Sequence, residues 1–225
     1  MKYSFFSNVS IFIKCFHGVQ TKFCTPFLGI IDMMIFYLIR HGLTESNKEK
    51  IVMGQGDSPL SNEGIEDACY LGEKLKHIQF NSIYSSDLGR ARNTADIIAH
   101  YLIGTPPINF KPELREINFG RYNNTPRSVM KQQFSSYGRD VSFIYPDGES
   151  LLIMQERVCN FITGLEKKHA DDIILLVSHS AVIKGIISRF TKVHLQAFYD
   201  SQQEISHRYI GRFTIKGGTL LGYGT

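Results

Sequence analysis

The chain has no tryptophan, only seven prolines and only four cysteines among its 225 residues. Cys15, Cys24, Cys69 and Cys159 show no C-x-x-C spacing, so neither a zinc site nor a disulfide framework follows, and free thiols in a reducing, cytoplasmic compartment are expected. Long apolar runs are missing as well. The longest, Phe27 to Ile39, has 13 residues and is broken by Asp32, short of the roughly 20 needed to cross a bilayer, so no membrane partner is expected. Charge of one sign is scarce: 25 Lys+Arg stand against 21 Asp+Glu, and Lys2, Lys14 and Lys22 against Asp32 in the first 33 residues leave the remainder near +2. Without a basic block or a basic stripe interleaved with aromatics, a nucleic-acid partner is not expected either. The first 33 residues hold no arginine, unlike a transit peptide, and Asn8, Lys14 and His17 interrupt what would be a signal-peptide core. The paired Met33 and Met34 suggest that the functional chain begins there. Residues 1–33 are then an N-terminal extension outside one catalytic domain spanning 34–225.

What is present is a regular alternation of elements, with 43% apolar residues to build a core. Met34 to Arg40 reads as a strand buried on both faces. Ser61 reads as the N-cap of a helix to His77, with Ile65, Ala68, Cys69 and Leu75 on its apolar side. Phe80 to Tyr84 is a second strand. Asp87 is expected to cap a helix whose stripe is Leu88, Ala91, Ala95, Ile98 and Leu102. A short strand follows at Ile108 to Phe110, and Thr125-Pro126 reads as the N-cap and first position of a helix to about Tyr137. A helix from Glu149 to Lys168, a fully apolar strand from Ile173 to Val177 and a helix from Ser180 to Phe190 complete the alternation, and strands between Ile205 and Tyr223 turn at Gly217-Gly218. This order predicts an α/β fold, a three-layer sandwich with a mostly parallel central sheet flanked by helices.

In such sheets ligands sit beyond the carboxyl ends of the strands. Two of those ends carry Arg40-His41-Gly42 and Ser178-His179-Ser180. Arg90, on the first turn after the second strand, can reach back to the same edge, and with Arg40 offers two guanidinium forks that match phosphate oxygens. Each residue also has an ordinary reading. A histidine can end a strand by capping a carbonyl, Arg90 can be a solvated helix arginine, and Glu116, in Leu114-Arg115-Glu116, can be a plain surface carboxylate.

The blocks LIRHGLTESN, MGQGDSPLSNEG, SSDLGRARNTA, LREINFG, PDGES and VSHSAVI occur in an order and spacing that resembles the histidine phosphatase superfamily, with its phosphoglycerate mutase-like fold, over residues 34 to about 190. The small-phosphatase branch is the part it resembles. The resemblance implies that His41 is the nucleophile taking the phosphoryl group, that Arg40, Asn47, Arg90 and His179 hold the phosphate, and that Glu116 donates the proton, with Gln55 and Ser180 as candidate substrate contacts. No metal and no cofactor are implied, and the partner is a small phosphorylated metabolite. Two departures touch the pocket edge. Ser180 replaces the usual glycine after the second histidine, and Arg121-Tyr122-Asn123-Asn124 replaces an acidic-Gly pair.

The mechanism expected is in-line attack by neutral His41, with Glu116 protonating the departing alkoxide and later deprotonating water. A mutase is the rival within the enzyme class, but mutases of this kind carry a longer insertion than the 63 residues from Glu116 to His179. A non-catalytic phosphoester-binding module and a two-histidine metal site are the rivals outside it. Ile117 to Pro146 is expected to cover the pocket, with Arg127, Lys131 and Arg139 as candidate anion contacts.

Overall fold

The computed structural model describes residues 33–225 apart from 136, 139, 202 and 203. The expected extension at 1–33 and the candidate Arg139 therefore lie outside the described residues, save Met33. Strand β1 (Met34–Arg40) leads to a short helix α1 (Glu45–Lys48), strand β2 (Ile51–Val52) and helix α2 (Asn62–Leu75). Then come β3 (Ser82–Ser86), α3 (Gly89–Ala99), β4 (Ile108–Lys111), β5 (Thr125–Pro126), α4 (Arg127–Gln133) and α5 (Leu151–Glu166). The chain closes with β6 (Ile173–Ser178), α6 (Ser180–Thr191), α7 (Leu195–Asp200), β7 (Ile210–Lys216) and β8 (Thr219–Gly224).

Six strands form the main sheet in the order β4-β3-β6-β1-β7-β8. The pairings among β4, β3, β6 and β1 are parallel, and β7 and β8 are added antiparallel. The apolar strands alternate between two cores. Phe36, Leu38, Ile174 and Leu176 face α5 and α6, while Ile39, Leu175 and Val177 face α2 and α3. That alternation on strands with no polar face makes the three layers, because neither side of the sheet can be left to water. No helix among the described residues is long and apolar enough to cross a membrane.

Several sequence expectations need correction. Ile65 is 43% exposed, whereas Gly64, Ala68, Leu71 and Leu75 are buried. The helix is phased by Gly64, which lies against the backbone of Leu43 so closely that a Cβ would fall 1.9 Å from its carbonyl oxygen. Strand β3 runs two residues later than the apolar run implied, through Ser85 and Ser86, since Ser85 Oγ donates to Ser86 O and leaves a buried hydroxyl satisfied. Asp87 does not cap α3. Leu88 is the N-cap without a side-chain bond, Asp87 pairs with both nitrogens of the Arg115 fork, and the free amides of Gly89 and Arg90 go to the carboxylate of Asp57 at 2.7 and 3.3 Å. Thr125 and Pro126 do not open a helix but pair with Val52 and Ile51, and α4 starts at Arg127, whose amide donates to Lys50 O, and ends at Gln133.

The core beside β7 offers a direct test. Phe36 and Phe213 face each other across β1 and β7 with ring centroids 4.7 Å apart and an interplanar angle of 3°, and Phe190 packs on both. Phe36→Ala should lower stability by about 3–5 kcal/mol in urea unfolding. A loss below about 1 kcal/mol would contradict this packing.

Candidate functional site

The register of β1 against β6 builds the site. Arg40 pairs with Ser178, and the amide of His41 donates to Ser178 O at 2.9 Å, so the two strand ends deliver His41 and His179 side by side with ring centroids 5.1 Å apart. Both rings are buried, at 3% and 0% exposure. His41 Nδ1 donates to Gly42 O at 2.7 Å, which leaves Nε2 of the neutral ring unprotonated. His179 Nε2 lies 2.8 Å from Ser86 Oγ at the end of β3. Ser86 Oγ also accepts from the Leu88 amide at 3.3 Å, which fixes the hydroxyl beside the His179 ring.

Gly42 and Gly64 bring the site's loop against the start of α2. A Cβ on Gly42 would fall 2.2 Å from Gly64 O. The Gly42 amide donates to Thr94 Oγ1 at 3.0 Å, and that hydroxyl donates to Arg90 O. Arg90 is 1% exposed, and its fork donates to Gly56 O at 2.6 Å and Gly54 O at 2.8 Å. Arg40 donates to Ile205 O. Burial pulls Arg40 down to about 10, still charged at neutral pH, and lowers Arg90 as well. Three buried nitrogens find no hydrogen-bond partner among the described residues: Nε of Arg40, Nε of Arg90 and Nδ1 of His179. An unsatisfied buried donor costs roughly 1–3 kcal/mol, more for a charged group, so an oxyanion here would meet donors that the protein leaves unpaired.

Glu116 Oε1 accepts from the Ile117 amide at 3.0 Å and Oε2 from the Ala181 amide at 3.3 Å, which ties the carboxyl to the start of α6. Gln55 Nε2 donates to Glu116 O at 3.1 Å. Arg157, on α5, donates to the carbonyls of Glu113 and Arg115 and pairs with Glu149, whose Oε1 accepts from the Asn118 amide. The irregular stretch that carries Glu116 is thus held from both ends. Ser180 opens α6 half-buried beside His179. Asn47 is occupied locally, because its Oδ1 accepts from the Thr44 amide and its own amide donates to Thr44 Oγ1, closing a capping box on α1.

Sequence reasoning missed His207, whose Nδ1 donates to His41 O at 2.7 Å and whose ring lies 5.5 Å from that of His41. It also missed Asp57 and Arg157. These contacts span 166 residues for His207 and 41–44 for Arg157, and no local pattern announces them. The unusual Asn123-Asn124 pair has a clear role. Asn123 Oδ1 accepts from the Gln55 and Phe119 amides, and Asn124 packs on Gly56, so the pair braces the loop whose carbonyls hold Arg90. Among the described residues no group of three or more His, Cys, Asp or Glu could hold a metal ion.

A sheet edge with paired imidazoles, one buried and one half-buried guanidinium and one tethered carboxyl fits a histidine-phosphatase type of enzyme. Residues 36–224 match the family model of the histidine phosphatase superfamily (branch 1), and the chain belongs to that family. It is 34% identical over 161 residues to a protein of Citrobacter koseri named "Probable phosphoglycerate mutase GpmB", covering 69% of this chain and 74% of that one. The Salmonella arizonae protein of the same name is 30% identical over 197 residues, 85% and 90% of the two chains. Among solved structures, YhfR of Bacillus stearothermophilus superposes with a TM-score of 0.77 at 28% identity, covering 83% of this chain and 94% of that one. The α-ribazole phosphatase of Shigella flexneri gives 0.73 at 27%, covering 83% and 93%.

The imidazoles make stability depend on pH. Burial, then the charge of Arg90, holds His41 and His179 well below 6.5, and burial, then Arg40, holds His207 at about 4. An unfolded chain protonates histidine near about 6.5, so below that pH it takes up protons that the folded state refuses, and stability falls as pH falls toward 4. Thermal midpoints should decline through this window, and less steeply in a His207→Gln protein. A flat midpoint between pH 7 and 5 would refute neutral burial.

Proposed function

We propose that this enzyme hydrolyses phosphomonoesters of a small metabolite through a phosphohistidine at Nε2 of His41, without a metal. The observation that carries the reading is the set of unpaired buried nitrogens, on Arg40, Arg90 and His179, around an imidazole whose only free nitrogen is unprotonated. Fixed donors aimed at the equatorial oxygens of a transferring phosphoryl group do the work that a metal ion does in other phosphoryl-transfer sites.

In the first step His41 Nε2 bonds to phosphorus as the ester P–O bond breaks, and the alkoxide takes the proton of Glu116 to leave as the alcohol. In the second step water gives a proton to Glu116 and bonds to phosphorus as the N–P bond breaks. Phosphate leaves, and both residues are restored. Asn47, through the Nδ2 amide that its capping box leaves over, and Ser180 add donors at the phosphate edge, and Gln55 a contact to the substrate. The acid limb of kcat/KM should lie below pH 6.5, since His41 stays neutral until well under the ordinary histidine value.

The partner in this reading is the phosphoester alone, with no nucleic acid and no membrane, and the free thiols of Cys69 and Cys159 agree with a cytoplasmic setting. The names of the curated relatives favour a second reading, phosphoglycerate mutase chemistry. The short span from Glu116 to His179 favours hydrolysis.

A panel of phosphomonoesters with chelator present tests the choice. Free phosphate should appear, and no 3- to 2-phosphoglycerate conversion should be seen with bisphosphoglycerate primer. His41→Ala should abolish the trapped phosphoenzyme and lower turnover at least about a thousandfold, and near-normal hydrolysis by that protein would sink the assignment. Glu116→Gln should slow alkyl esters by about 100-fold or more and p-nitrophenyl phosphate far less, because a good leaving group needs little proton donation. Equal losses would remove the acid role.

A further inference from the structure

We infer that His207 is a positioning residue for the proposed nucleophile: it grips the His41–Gly42 peptide and so fixes the carbonyl that keeps the His41 proton on Nδ1. This rests on the hydrolase reading above and adds a residue that the reaction as written does not use. His41 O lies past the end of the β1–β7 ladder, whose last pair is Ile39 opposite Ile210, and no backbone amide among the described residues donates to it. The donor is a side chain from the loop before β7, His207 Nδ1 at 2.7 Å. A carbonyl only accepts, and burial, then Arg40, holds His207 at about 4, so at neutral pH the one proton of the ring sits on Nδ1 and is committed to this bond.

A peptide group is planar and trans, so its carbonyl and its N–H point to opposite sides. In the His41–Gly42 peptide His207 takes the carbonyl, and Thr94 Oγ1 takes the N–H at 3.0 Å. Held at both ends, the plane resists turning about its Cα–Cα axis. The next carbonyl along the chain, Gly42 O, is the acceptor of His41 Nδ1. A glycine sets few limits of its own on where its carbonyl points, so that direction has to be imposed by what holds the peptide before it. The His207 loop is itself anchored on both sides. Ile205 is buried and its carbonyl accepts from Arg40, while Arg208 Nε donates to Asp67 at 2.7 Å and its guanidinium lies 4.8 Å from the centroid of the Tyr70 ring, both on α2. An imidazole released from Gly42 O can carry its proton on Nε2 instead, which removes the lone pair that attacks phosphorus.

Three replacements separate the hydrogen bond from the ring. His207→Asn keeps an N–H near the place of Nδ1, His207→Phe keeps a ring without a donor, and His207→Ala keeps neither. With p-nitrophenyl phosphate and chelator, well below each thermal midpoint, kcat should fall about 10- to 100-fold in H207F and H207A, as lost alignment allows, with KM within about threefold of the parent. H207N should stay within about threefold of the parent in both constants. NMR of nitrogen-labelled histidine rings, with His41 assigned by its absence from the His41→Ala protein, reads the tautomer without turnover. The His41 proton should sit on Nδ1 in the parent and in H207N, and be shared with Nε2 in H207F and H207A. A merely structural role would lower the midpoints and leave the tautomer alone. A proton that stays on Nδ1 in H207F and H207A, or an H207N protein as impaired as H207A, overturns the inference and leaves the hydrolase reading. A parent that hydrolyses no phosphoester, but whose His41 tautomer follows the donor at position 207, supports the positioning role and overturns the hydrolase. Should H207F and H207A fail to fold, H207N decides: parental kcat and tautomer support the inference, and loss of either in the folded protein overturns it.

Discussion

The bond from His41 Nδ1 to Gly42 O, 2.7 Å long in a buried pocket, is the interaction on which the rest depends. A neutral imidazole has one proton, and fixing it on Nδ1 leaves Nε2 with a free lone pair, as the proposed nucleophile requires. The acceptor is a backbone carbonyl, so its aim is set by where the chain goes next. That path is narrow: Gly42 and Gly64 touch with no room for a Cβ on either, and Thr94 ties the Gly42 amide to the first turns of α3. Arg90, from the same helix, is thereby placed relative to His41 through two hydrogen bonds and no flexible segment. The pocket also has to be strongly positive without protonating its own nucleophile. Burial and the two arginines act in the same direction, each disfavouring a charge on His41.

Burying Arg90 and half-burying Arg40 costs several kcal/mol before compensation. The protein meets much of that cost with carbonyls rather than carboxylates, Gly54 O and Gly56 O for Arg90 and Ile205 O for Arg40. Among the described residues the only ion pair that either guanidinium forms is with Asp57, 3.5 Å from Arg90 and half exposed. Carbonyl dipoles keep the cations charged without neutralising them, so their field remains available to an incoming dianion. A pair of buried carboxylates would have satisfied the arginines better and left nothing for phosphate. The loops that supply these carbonyls are in turn braced, 54–56 by Asn123 and Asn124 and the Glu116 stretch by Arg157 and Glu149.

This division explains what could be read from the residues alone. The two apolar strands announce themselves because each is buried on both faces, and the rule that ligands gather at strand carboxyl ends then singles out His41 and His179. Register alone makes them neighbours, through Arg40 opposite Ser178, and nothing local in either segment states it. Short-range chemistry misleads where a tertiary partner outcompetes it. Asp87 has the residue type of an N-cap, yet Arg115 offers it a two-point ion pair, and a distant carboxylate, Asp57, takes over the helix amides. Thr125-Pro126 likewise has the pattern of a helix start, but two residues of β2 claim its backbone. His207 is invisible for a similar reason. Its partner is the carbonyl of His41, and only the antiparallel return of β7 beside β1 brings the preceding loop there.

The site therefore has two sides of different origin. The phosphate side is assembled from strand ends, helix starts and backbone carbonyls, all parts of the fold itself, and a change in any of them disturbs the sheet edge as well as the chemistry. Near Glu116 stand Tyr137, from the segment joining α4 to α5, and Tyr199, on α7. These can change without moving a strand. In the proposed reaction, phosphoryl transfer to a histidine is thus bound to the architecture, while the identity of the alcohol, and whether the phosphoryl group goes to water or back to an alcohol, is left to residues that the architecture does not constrain.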